Sequence, residues 1–416
     1  MSQVFSGAAR VLPAVRRVLG SRRRPALVVI AVALTTGMLG MAPAAQERTL
    51  KPGDPLPGIS ASDFSEFRHG LSDFLEVETV EDGLGPAFNA TSCAVCHNVP
   101  AIGGGGIITE MRAAYREPDG TFRALAPDGE TLMHLFSTPS HTCQAIVPEE
   151  MNVVARRIPF PLFGAGLVEA IPDETLIALE DPLDRNRDGV RGRAAIVKDL
   201  ATGRMRVGRF GWKAQHATLL AFGADAYRNE MGITNDLFPQ ESAYGISAAQ
   251  MRACDLVPDP EDVRDPATGR RGIDNFESFM RFLAPVARTT VDDRIRDGER
   301  VFTAIGCTAC HVPSLMTGPS PHPAFNRRPV PLFSDLLLHD IGTGDGIRQG
   351  AAEANEIRTA PLWGLRFRRP LLHDGSAANI EEAIGRHGNE AELARRGFAA
   401  ARAADRELLL AFLRSL

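Results

Sequence analysis

Two short segments carry the residues most able to do chemistry in this chain. They are Cys93-Ala-Val-Cys96-His97 and Cys307-Thr-Ala-Cys310-His311, and both follow the pattern Cys-x-x-Cys-His. Two thiols at this spacing can reach the two vinyl groups of one porphyrin, and the adjoining histidine can then bind the iron. This is the attachment motif of c-type haem. The sequence therefore predicts two covalently bound haems, with His97 and His311 as the proximal ligands.

Other uses of paired cysteines fit the spacing less well. A structural zinc site could draw on both pairs, but more than 200 residues separate them, which is far longer than zinc modules use. A redox-active dithiol would not need a histidine at the same place twice.

Two further cysteines, Cys143 and Cys254, lie outside the motifs. In an oxidising compartment they could form a disulfide. They could equally remain two buried free thiols, and the sequence leaves both possibilities open.

The N-terminal segment differs in charge from the rest of the chain. Residues 1–46 contain six arginines and no acidic residue, so the remainder carries 40 basic against 51 acidic residues, a net charge of −11. This balance argues against a nucleic-acid-binding protein. Basic residues, a short apolar stretch and Ala42-Pro43-Ala44 are the parts of a secretory signal peptide. We expect residues 1–44 to direct export to the periplasm, with an uncleaved N-terminal membrane anchor as the alternative.

Helical periodicity surrounds both motifs. Asp63-x-x-Glu66 could cap a helix whose apolar face includes Phe67 and Phe74. A Gly-x-x-x-Phe pattern precedes each motif, at Gly70 and at Gly298, where glycine would permit close approach of a partner helix. A final helix is expected over residues 406–416.

Strand signals are sparse. The expected fold is therefore mainly α, with two cytochrome c-like haem-binding domains, long loops and small β insertions. The expected boundaries are 45–285 for the N-terminal haem domain with insertions and 286–416 for the C-terminal domain.

One loop has the donor pattern of a calcium site. Asp184-Arg-Asn186-Arg-Asp188-Gly189 alternates oxygen donors and ends in a glycine turn. The twelfth position is Ala195, so the usual bidentate glutamate is missing. The segment is either a calcium loop or an Asx-rich surface turn.

Beyond the motifs, the chain from about residue 60 to its end resembles the bacterial di-haem oxidoreductase family. That family is similar to the di-haem cytochrome c peroxidases and to the methylamine-dehydrogenase-maturation enzymes. The matching segments are Gly83–Asn89, Phe163–Pro172, Phe210–Ala214, Met231–Thr234, His339–Gly342, Arg358–Gly364, His373–Gly375 and His387–Ala391.

The resemblance implies a distal ligand for the second haem. In the peroxidases a ligand follows the His-Asp-Gly element by about four helical turns, and His387 stands at the matching position, where those enzymes often have methionine. We therefore expect His311/His387 ligation, which would favour a lower potential than His/Met. The other candidates are His322, His339, His373 and Met316. Of these, His339 and His373 are expected to lie around the haem without binding it.

The first haem has no obvious distal ligand. Its candidates are His69, His134, His141, His216 and Met111, and an open or displaceable position is the favoured expectation. By the resemblance, Glu230 in Asn229-Glu230-Met231-Gly232 stands where the peroxidases keep an acid–base glutamate. Glu169, within an apolar run, is its rival. Trp212 and Trp363 lie in family motifs, and either could relay electrons between the haems or simply belong to the core.

These observations predict an exported di-haem c-type oxidoreductase. In the favoured hypothesis it reduces hydrogen peroxide, or another small oxidant, with electrons from a small donor protein such as a cytochrome c or a cupredoxin. The alternatives are a non-catalytic electron-transfer cytochrome and a di-haem oxygenase or protein-modifying enzyme.

Overall fold

Two pairs of crossing helices, one beside each Cys-x-x-Cys-His motif, organise this protein. The computed structural model describes residues 50–126, 129–138, 143–242 and 244–416. The expected signal peptide, residues 1–44, lies outside the described residues, and so does the candidate ligand His141. Within the described part, no helix combines the length and the apolar character needed to cross a membrane.

Eleven α-helices occur among the described residues. They are α1 Ala61–Leu75, α2 Cys93–Cys96, α3 Ala165–Glu169, α4 Asp173–Ile177, α5 Leu219–Met231, α6 Ala248–Cys254, α7 Gly272–Phe282, α8 Asp293–Ile305, α9 Ile380–Gly385, α10 Glu392–Ala400 and α11 Ala403–Leu413. Short 3₁₀ turns cover Val80–Asp82, Cys307–Ala309, Leu365–Phe367 and Asn389–Ala391.

The strands form only small sheets. They are β1 Ala87–Phe88, β2 Glu110–Arg116, β3 Phe122–Ala124, β4 Phe136–Ser137, β5 Val153–Arg157, β6 Ala195–Lys198, β7 Met205–Gly208, β8 Leu315–Met316, β9 Pro329–Val330, β10 Leu338–His339 and β11 Ile357–Arg358. The largest described sheet has the order β3-β2-β5, and the pairs β1-β4, β6-β7, β8-β9 and β10-β11 are antiparallel hairpins or bridges.

The prediction of a mainly α fold is wrong. The structure is 31% helical and 14% strand, which is a mixed composition and not that of an all-α cytochrome c. The sequence signal was weak because most strands have two to five residues, too few for alternation to appear. The expected boundaries at 45–285 and 286–416 stay a prediction.

Helix α1 crosses α7 before the first motif. Ser60 and Asp63 form a capping box at the start of α1, so the cap lies three residues before the predicted Asp63. A β-carbon on Gly70 would stand 2.1 Å from the carbonyl oxygen of Asn275. The helices therefore approach closely only because this position is glycine. Phe74 packs one turn later against Phe279, with ring centroids 4.7 Å apart.

Helix α8 crosses α11 in the same way. A β-carbon on Gly298 would lie 2.1 Å from the carbonyl oxygen of Leu408, and Phe302 packs on Phe412 at 5.1 Å. The prediction that both glycines permit helix contact is confirmed. The last helix begins at Ala403 and buries Leu409 and Phe412, as the periodicity of residues 406–416 indicated.

Candidate functional site

The first motif forms a single helical turn. Ser92 caps α2 by accepting a hydrogen bond from the amide of Ala94 at 3.3 Å. His97 follows directly, and its Nδ1 donates to the carbonyl oxygen of Gly104 at 3.0 Å. A carbonyl oxygen can only accept, so this contact assigns the proton to Nδ1 and leaves Nε2 available as a metal ligand.

A glycine run packs directly against this turn. A β-carbon on Gly106 would stand 2.1 Å from the carbonyl oxygen of Cys96, and one on Gly104 would stand 2.0 Å from that of Val99. Glycine at both positions lets the chain pass beneath the motif and bring the carbonyl of Gly104 to His97.

The second motif repeats this arrangement. A 3₁₀ turn carries Cys307, and His311 places its Nδ1 2.9 Å from the carbonyl oxygen of Phe333. Its Nε2 is therefore free to bind a metal, as is that of His97.

Burial raises the pKa of Cys93, Cys96 and Cys307 to about 12. Thiols with such pKa values are poor redox nucleophiles, so the dithiol alternative loses its support.

A cavity of about 440 Å³ opens beside the second motif. Cys307, Cys310 and His311 line it, as does His387, and most of the remaining lining is aliphatic or aromatic. His387 donates from Nδ1 to the carbonyl oxygen of Ala383 at 2.7 Å, which again leaves Nε2 free. Burial lowers the pKa of His311 to about 4, with a smaller contribution from the nearby His387. The structure thus brings the two predicted ligands of one haem to one cavity.

The charged residues in this cavity test whether it suits a haem. Arg358 is 3% exposed, and the structure shows no ion pair between it or Arg368 and a described carboxylate. Burial lowers their pKa values to about 9 and about 10, respectively. Both guanidinium groups lie over the ring of Phe160, at 4.9 and 5.1 Å. Buried cations need anionic partners, and the two propionates of a haem would supply them. The residues that line this cavity therefore fit a haem.

The predicted surrounding histidines also border this region. His339 lies between Asp335 and Glu390, with 2.9 Å contacts to both, and these acids raise its pKa well above the usual value despite burial. His373 is buried, and burial lowers its pKa. Its ring lies 6.2 Å from that of Trp212.

The two tryptophans have different surroundings. Trp212 lines the cavity and donates from Nε1 to the carbonyl oxygen of Ile158 at 2.8 Å. Trp363 belongs to the main apolar core and packs over Gly164. Only Trp212 therefore keeps the position that an electron relay to this cavity would require.

Glu230 lies close to the first motif. It lies in the last turn of α5, and its backbone oxygen accepts hydrogen bonds from the amides of Asn89 and Ala90 at 2.7 and 3.1 Å. Its charge acts on the thiols of both Cys93 and Cys96. The structure thus brings together the predicted acid–base residue and the first haem motif.

Burial and a second carboxylate set the charge state of Glu230. They raise its pKa to about 8, and burial is the larger cause. The second carboxylate is Glu110, which forms a forked ion pair with Arg112 at 2.7 and 3.2 Å. This arginine, together with Arg157, holds the pKa of Glu110 below its usual value. Glu110 is therefore the ionised partner and Glu230 the protonated one near neutral pH.

Buried charges continue from this pair toward the second cavity. Arg157 is 2% exposed and lies 3.8 Å from Glu110 and 2.8 Å from Asp345. Asp345 in turn contacts the Nζ of the buried Lys213 at 3.0 Å. Lys213 adjoins Trp212 in the chain, so a connected set of ion pairs runs from Glu110, the neighbour of Glu230, to the Trp212 segment.

The remaining ligand candidates have other partners or positions. His134 is buried near Glu230, with Nε2 2.9 Å from the carbonyl oxygen of Asn229, and burial lowers its pKa to about 4. His216 pairs with Asp225 at 2.9 Å. His322 pairs with Asp63 of α1 at 2.9 Å. His69 and Met316 are exposed, and Met111 lies in β2.

The other predicted sites are also located. Glu169 accepts from the amide of Leu219 at the start of α5 and pairs with Arg281, each at a distance near 2.8 Å. Cys143 and Cys254 form a disulfide, with Cα atoms 6.2 Å apart.

The predicted calcium loop is folded as an Asx-rich turn. Asp184 accepts from the amide of Gly189, and Asn186 accepts from that of Asp188. Calcium binding by Asp184, Asn186 and Asp188 stays a prediction.

Several functional neighbours were missed by the sequence reasoning. Arg358 lies in a segment quoted for the family resemblance, yet nothing in that segment indicated that it is buried without a carboxylate partner. Asn89 also lies in such a segment, Gly83–Asn89, but nothing there indicated that it contacts Glu230. Glu110 and Arg368 carried no local signal, because their roles depend on contacts between distant segments.

The protein has two Cys-x-x-Cys-His motifs whose surroundings suit haem. One lies beside an apolar cavity and the other beside a buried pair of carboxyl groups, which is the arrangement of a di-haem redox protein. Residues 136–416 match the model of the family described as "Di-haem oxidoreductase, putative peroxidase". The chain therefore belongs to this family, and it is an oxidoreductase of the peroxidase-like kind. The matched range includes the second motif and Glu230, whereas the first motif precedes it.

Solved structures show weaker likenesses. Hydrazine synthase of Kuenenia stuttgartiensis, pressurised with xenon, is 13% identical over 90% of this chain and 98% of its own, with a TM-score of 0.40. The diheme peroxidase BthA of Burkholderia thailandensis E264 is 15% identical over 89% of each chain, with a TM-score of 0.40. A MauG-like protein associated with microbial copper homeostasis is 17% identical over 61% of this chain and 89% of its own, with a TM-score of 0.32. Likenesses this distant carry no conclusion, and no curated protein matches the chain.

Proposed function

We propose that this di-haem oxidoreductase reduces hydrogen peroxide with electrons from a small redox protein, a cytochrome c or a cupredoxin. In this proposal a haem is attached covalently at each cysteine pair. The observation that carries the proposal is the position of Glu230. A protonatable carboxyl with a pKa of about 8 is held beside the first motif by Asn89 and Glu110.

Peroxide reduction has a proton requirement that such a carboxyl meets. The reaction takes up two electrons and two protons and yields two molecules of water. When bound, haem iron supplies the site for a peroxide oxygen and the electrons that cleave the O–O bond. Glu230 would accept the proton that peroxide loses on binding and return it to the oxygen that leaves as water.

Neighbouring residues fix the position and the proton affinity of Glu230. Asn89 donates to its Oε2 at 3.0 Å and orients the carboxyl. The ionised Glu110 keeps the proton affinity high, while Arg112 compensates the charge of Glu110. A base whose pKa lies near the working pH exchanges protons most effectively.

The second site would serve electron entry. His311 and His387 would hold the haem iron, and Arg358 and Arg368 would bind its propionates. Because two histidines are available at this site, the haem held there would supply electron transfer, and peroxide chemistry would belong to the first motif beside Glu230. Trp212 lies on the cavity wall, next in the chain to Lys213 at the end of the buried ion-pair series, and would relay electrons between the two haems.

The proposal also includes export. The basic and apolar segment within residues 1–44 supports delivery to the periplasm. Covalent haem attachment and a Cys143–Cys254 disulfide are both compatible with that oxidising compartment.

Absorption and electron spin resonance spectra of the purified protein test the function. We expect one low-spin haem and one that responds to peroxide and to carbon monoxide, together with peroxide turnover in the presence of a reduced donor. A preparation whose haems are both low-spin and ignore both ligands would contradict the proposal and favour a non-catalytic cytochrome.

A further inference from the structure

Four carboxylates converge away from both motifs. Glu241, Asp255, Asp259 and Glu261 each place a carboxylate oxygen within 4.8 Å of those of the other three. Asp255 directly follows Cys254, whose disulfide to Cys143 fixes the end of α6. The cluster therefore joins two loops that are separate in sequence and held in place by a covalent bond.

The protein leaves part of this cluster without hydrogen-bond partners. Glu261 is 8% exposed, and its Oε1 is buried with no partner among the described residues. The Oε1 of Glu241 is in the same situation. Arg228 places one positive charge near Glu241, against four carboxylates. Buried acceptors without donors are costly, and they indicate a missing positive partner.

The other oxygens of the cluster are held in fixed positions. Thr234, which follows the end of α5, hydrogen-bonds through its amide and hydroxyl to Oε2 of Glu261, and its hydroxyl lies 2.9 Å from Oδ1 of Asp259. Asp255 accepts from the amide of Val257 at 3.2 Å. These contacts orient the carboxylates before any ligand binds.

We propose that Glu241, Asp255, Asp259 and Glu261 bind a calcium ion. Calcium takes oxygen ligands at about 2.3–2.6 Å, so oxygens on opposite sides of one ion are about 5 Å apart. The four carboxylate oxygens of this cluster all lie within 4.8 Å of one another, close enough to share one such ion. Magnesium needs shorter bonds and tends to keep its water, so it fits the cluster less well.

The site differs from the Asp184–Gly189 loop in one decisive respect. In that loop the carboxylates accept hydrogen bonds from the loop's own amides, as at Gly189 and Val190. In the new cluster, two carboxylate oxygens are buried and unpartnered. An ion there would fix both loops against the end of α5, which carries Glu230.

Calcium titration of the full-length, haem-loaded protein by calorimetry and thermal melting tests the proposal. After removal of metal with EGTA, we expect added calcium to bind and to raise Tm by several degrees, with a much weaker response to magnesium. Glu241→Gln is the informative variant, because the Oε1 of Glu241 has no hydrogen-bond partner among the described residues and the substitution keeps the shape of the side chain. Its Tm in EGTA should equal or exceed that of the unmodified protein, since it loses repulsion, while its calcium affinity should fall at least tenfold.

Asp188→Asn, in the other candidate loop, is the matched control and should leave this binding unchanged. Two results would overturn the proposal: an absence of calcium binding by the unmodified protein, or binding that Glu241→Gln leaves intact. Loss of binding in Asp188→Asn alone would also overturn it, because the ion would then belong to the Asp184–Gly189 loop. None of these readouts depends on peroxide turnover, so the site can fail without the proposed function.

Discussion

The side-chain amide of Asn89 donates a hydrogen bond to Oε2 of Glu230 across 3.0 Å. The same side chain accepts from the amide of Leu135 at 2.9 Å, so its orientation is fixed from both ends. An amide nitrogen can only donate, and this contact therefore keeps Oε2 as an acceptor. The proton of Glu230 is therefore left to Oε1.

Replacing Glu230 with Gln should reduce peroxide turnover by about 10²-fold or more, because the amide cannot carry the proton. The measurement is steady-state turnover with a reduced donor. Glu169→Gln is the matched control: it removes a partly buried carboxyl that accepts from the amide of Leu219 at the start of α5 and pairs with Arg281. It should lower Tm and leave turnover per folded molecule unchanged. Equal losses in both variants would remove the special role of Glu230.

The pH dependence follows from the raised pKa of Glu230, about 8. The ionised form, which accepts the proton of peroxide, increases with pH and is largely complete above that value. The rate constant for reaction with peroxide should therefore rise through neutral pH and level off above about pH 8. Stopped-flow mixing across pH 6–10 checks this, and the Glu230→Gln variant should lose the dependence. The same proton affinity stabilises the fold at low pH, and this contribution is lost as pH rises through about 8.

His387 is the proposed distal ligand of the second haem. His387→Ala should open a coordination position and make that haem bind carbon monoxide, whereas His387→Met should raise its midpoint potential. Redox-titrated absorption spectra measure both effects. His322→Ala is the control, because His322 pairs with Asp63 on α1 instead of lining the cavity. Unchanged spectra in both His387 variants would show that another group binds the iron.

Arg358 and Arg368 are proposed to bind the propionates of the second haem, and their replacement should change its midpoint potential. Arg358→Gln and Arg368→Gln each remove a positive charge from the cavity lining, so the midpoint potential of the second haem should fall by tens of millivolts, because oxidation is then less opposed. Arg348→Gln, at an exposed position, should leave the potential unchanged. Spectroelectrochemical titration decides the question, and a potential that ignores both buried variants would exclude the propionate assignment.

Much of the site could be predicted because the chemistry is local. Each Cys-x-x-Cys-His motif carries its own attachment residues, and Gly70 and Gly298 showed by their spacing to Phe74 and Phe302 that a helix would pack there. The strands were underestimated because segments such as β10 have only two residues and depend on their partners. Glu110 and Arg358 could not be predicted, since contacts between distant segments decide what a charged side chain meets.

The acidic cluster illustrates the same limit. Residues 255–271 are rich in proline and charged residues, a composition typical of a loop. Nothing local indicates that Glu241 joins Asp255, Asp259 and Glu261, because the turn of the chain around the Cys143–Cys254 disulfide brings them together.

The close contact of α8 and α11 at Gly298 predicts that a larger side chain there destabilises the fold. Gly298→Ala places a methyl group 2.1 Å from the carbonyl oxygen of Leu408, so α8 and α11 must separate, at an expected cost of about 1–3 kcal/mol in the free energy of unfolding. Gly385→Ala in α9 meets nothing within 4 Å and should be neutral or slightly stabilising. Denaturant unfolding of both variants compares them, and equal stabilities would contradict the tight crossing.

Covalent attachment of haem at both motifs is the claim on which the account most directly depends. Peptide mapping by mass spectrometry of the mature protein, produced with a c-type haem maturation system, measures it. The account predicts one added tetrapyrrole on the peptide that contains Cys93 and Cys96 and another on the peptide that contains Cys307 and Cys310. Unmodified cysteines at both pairs would contradict it.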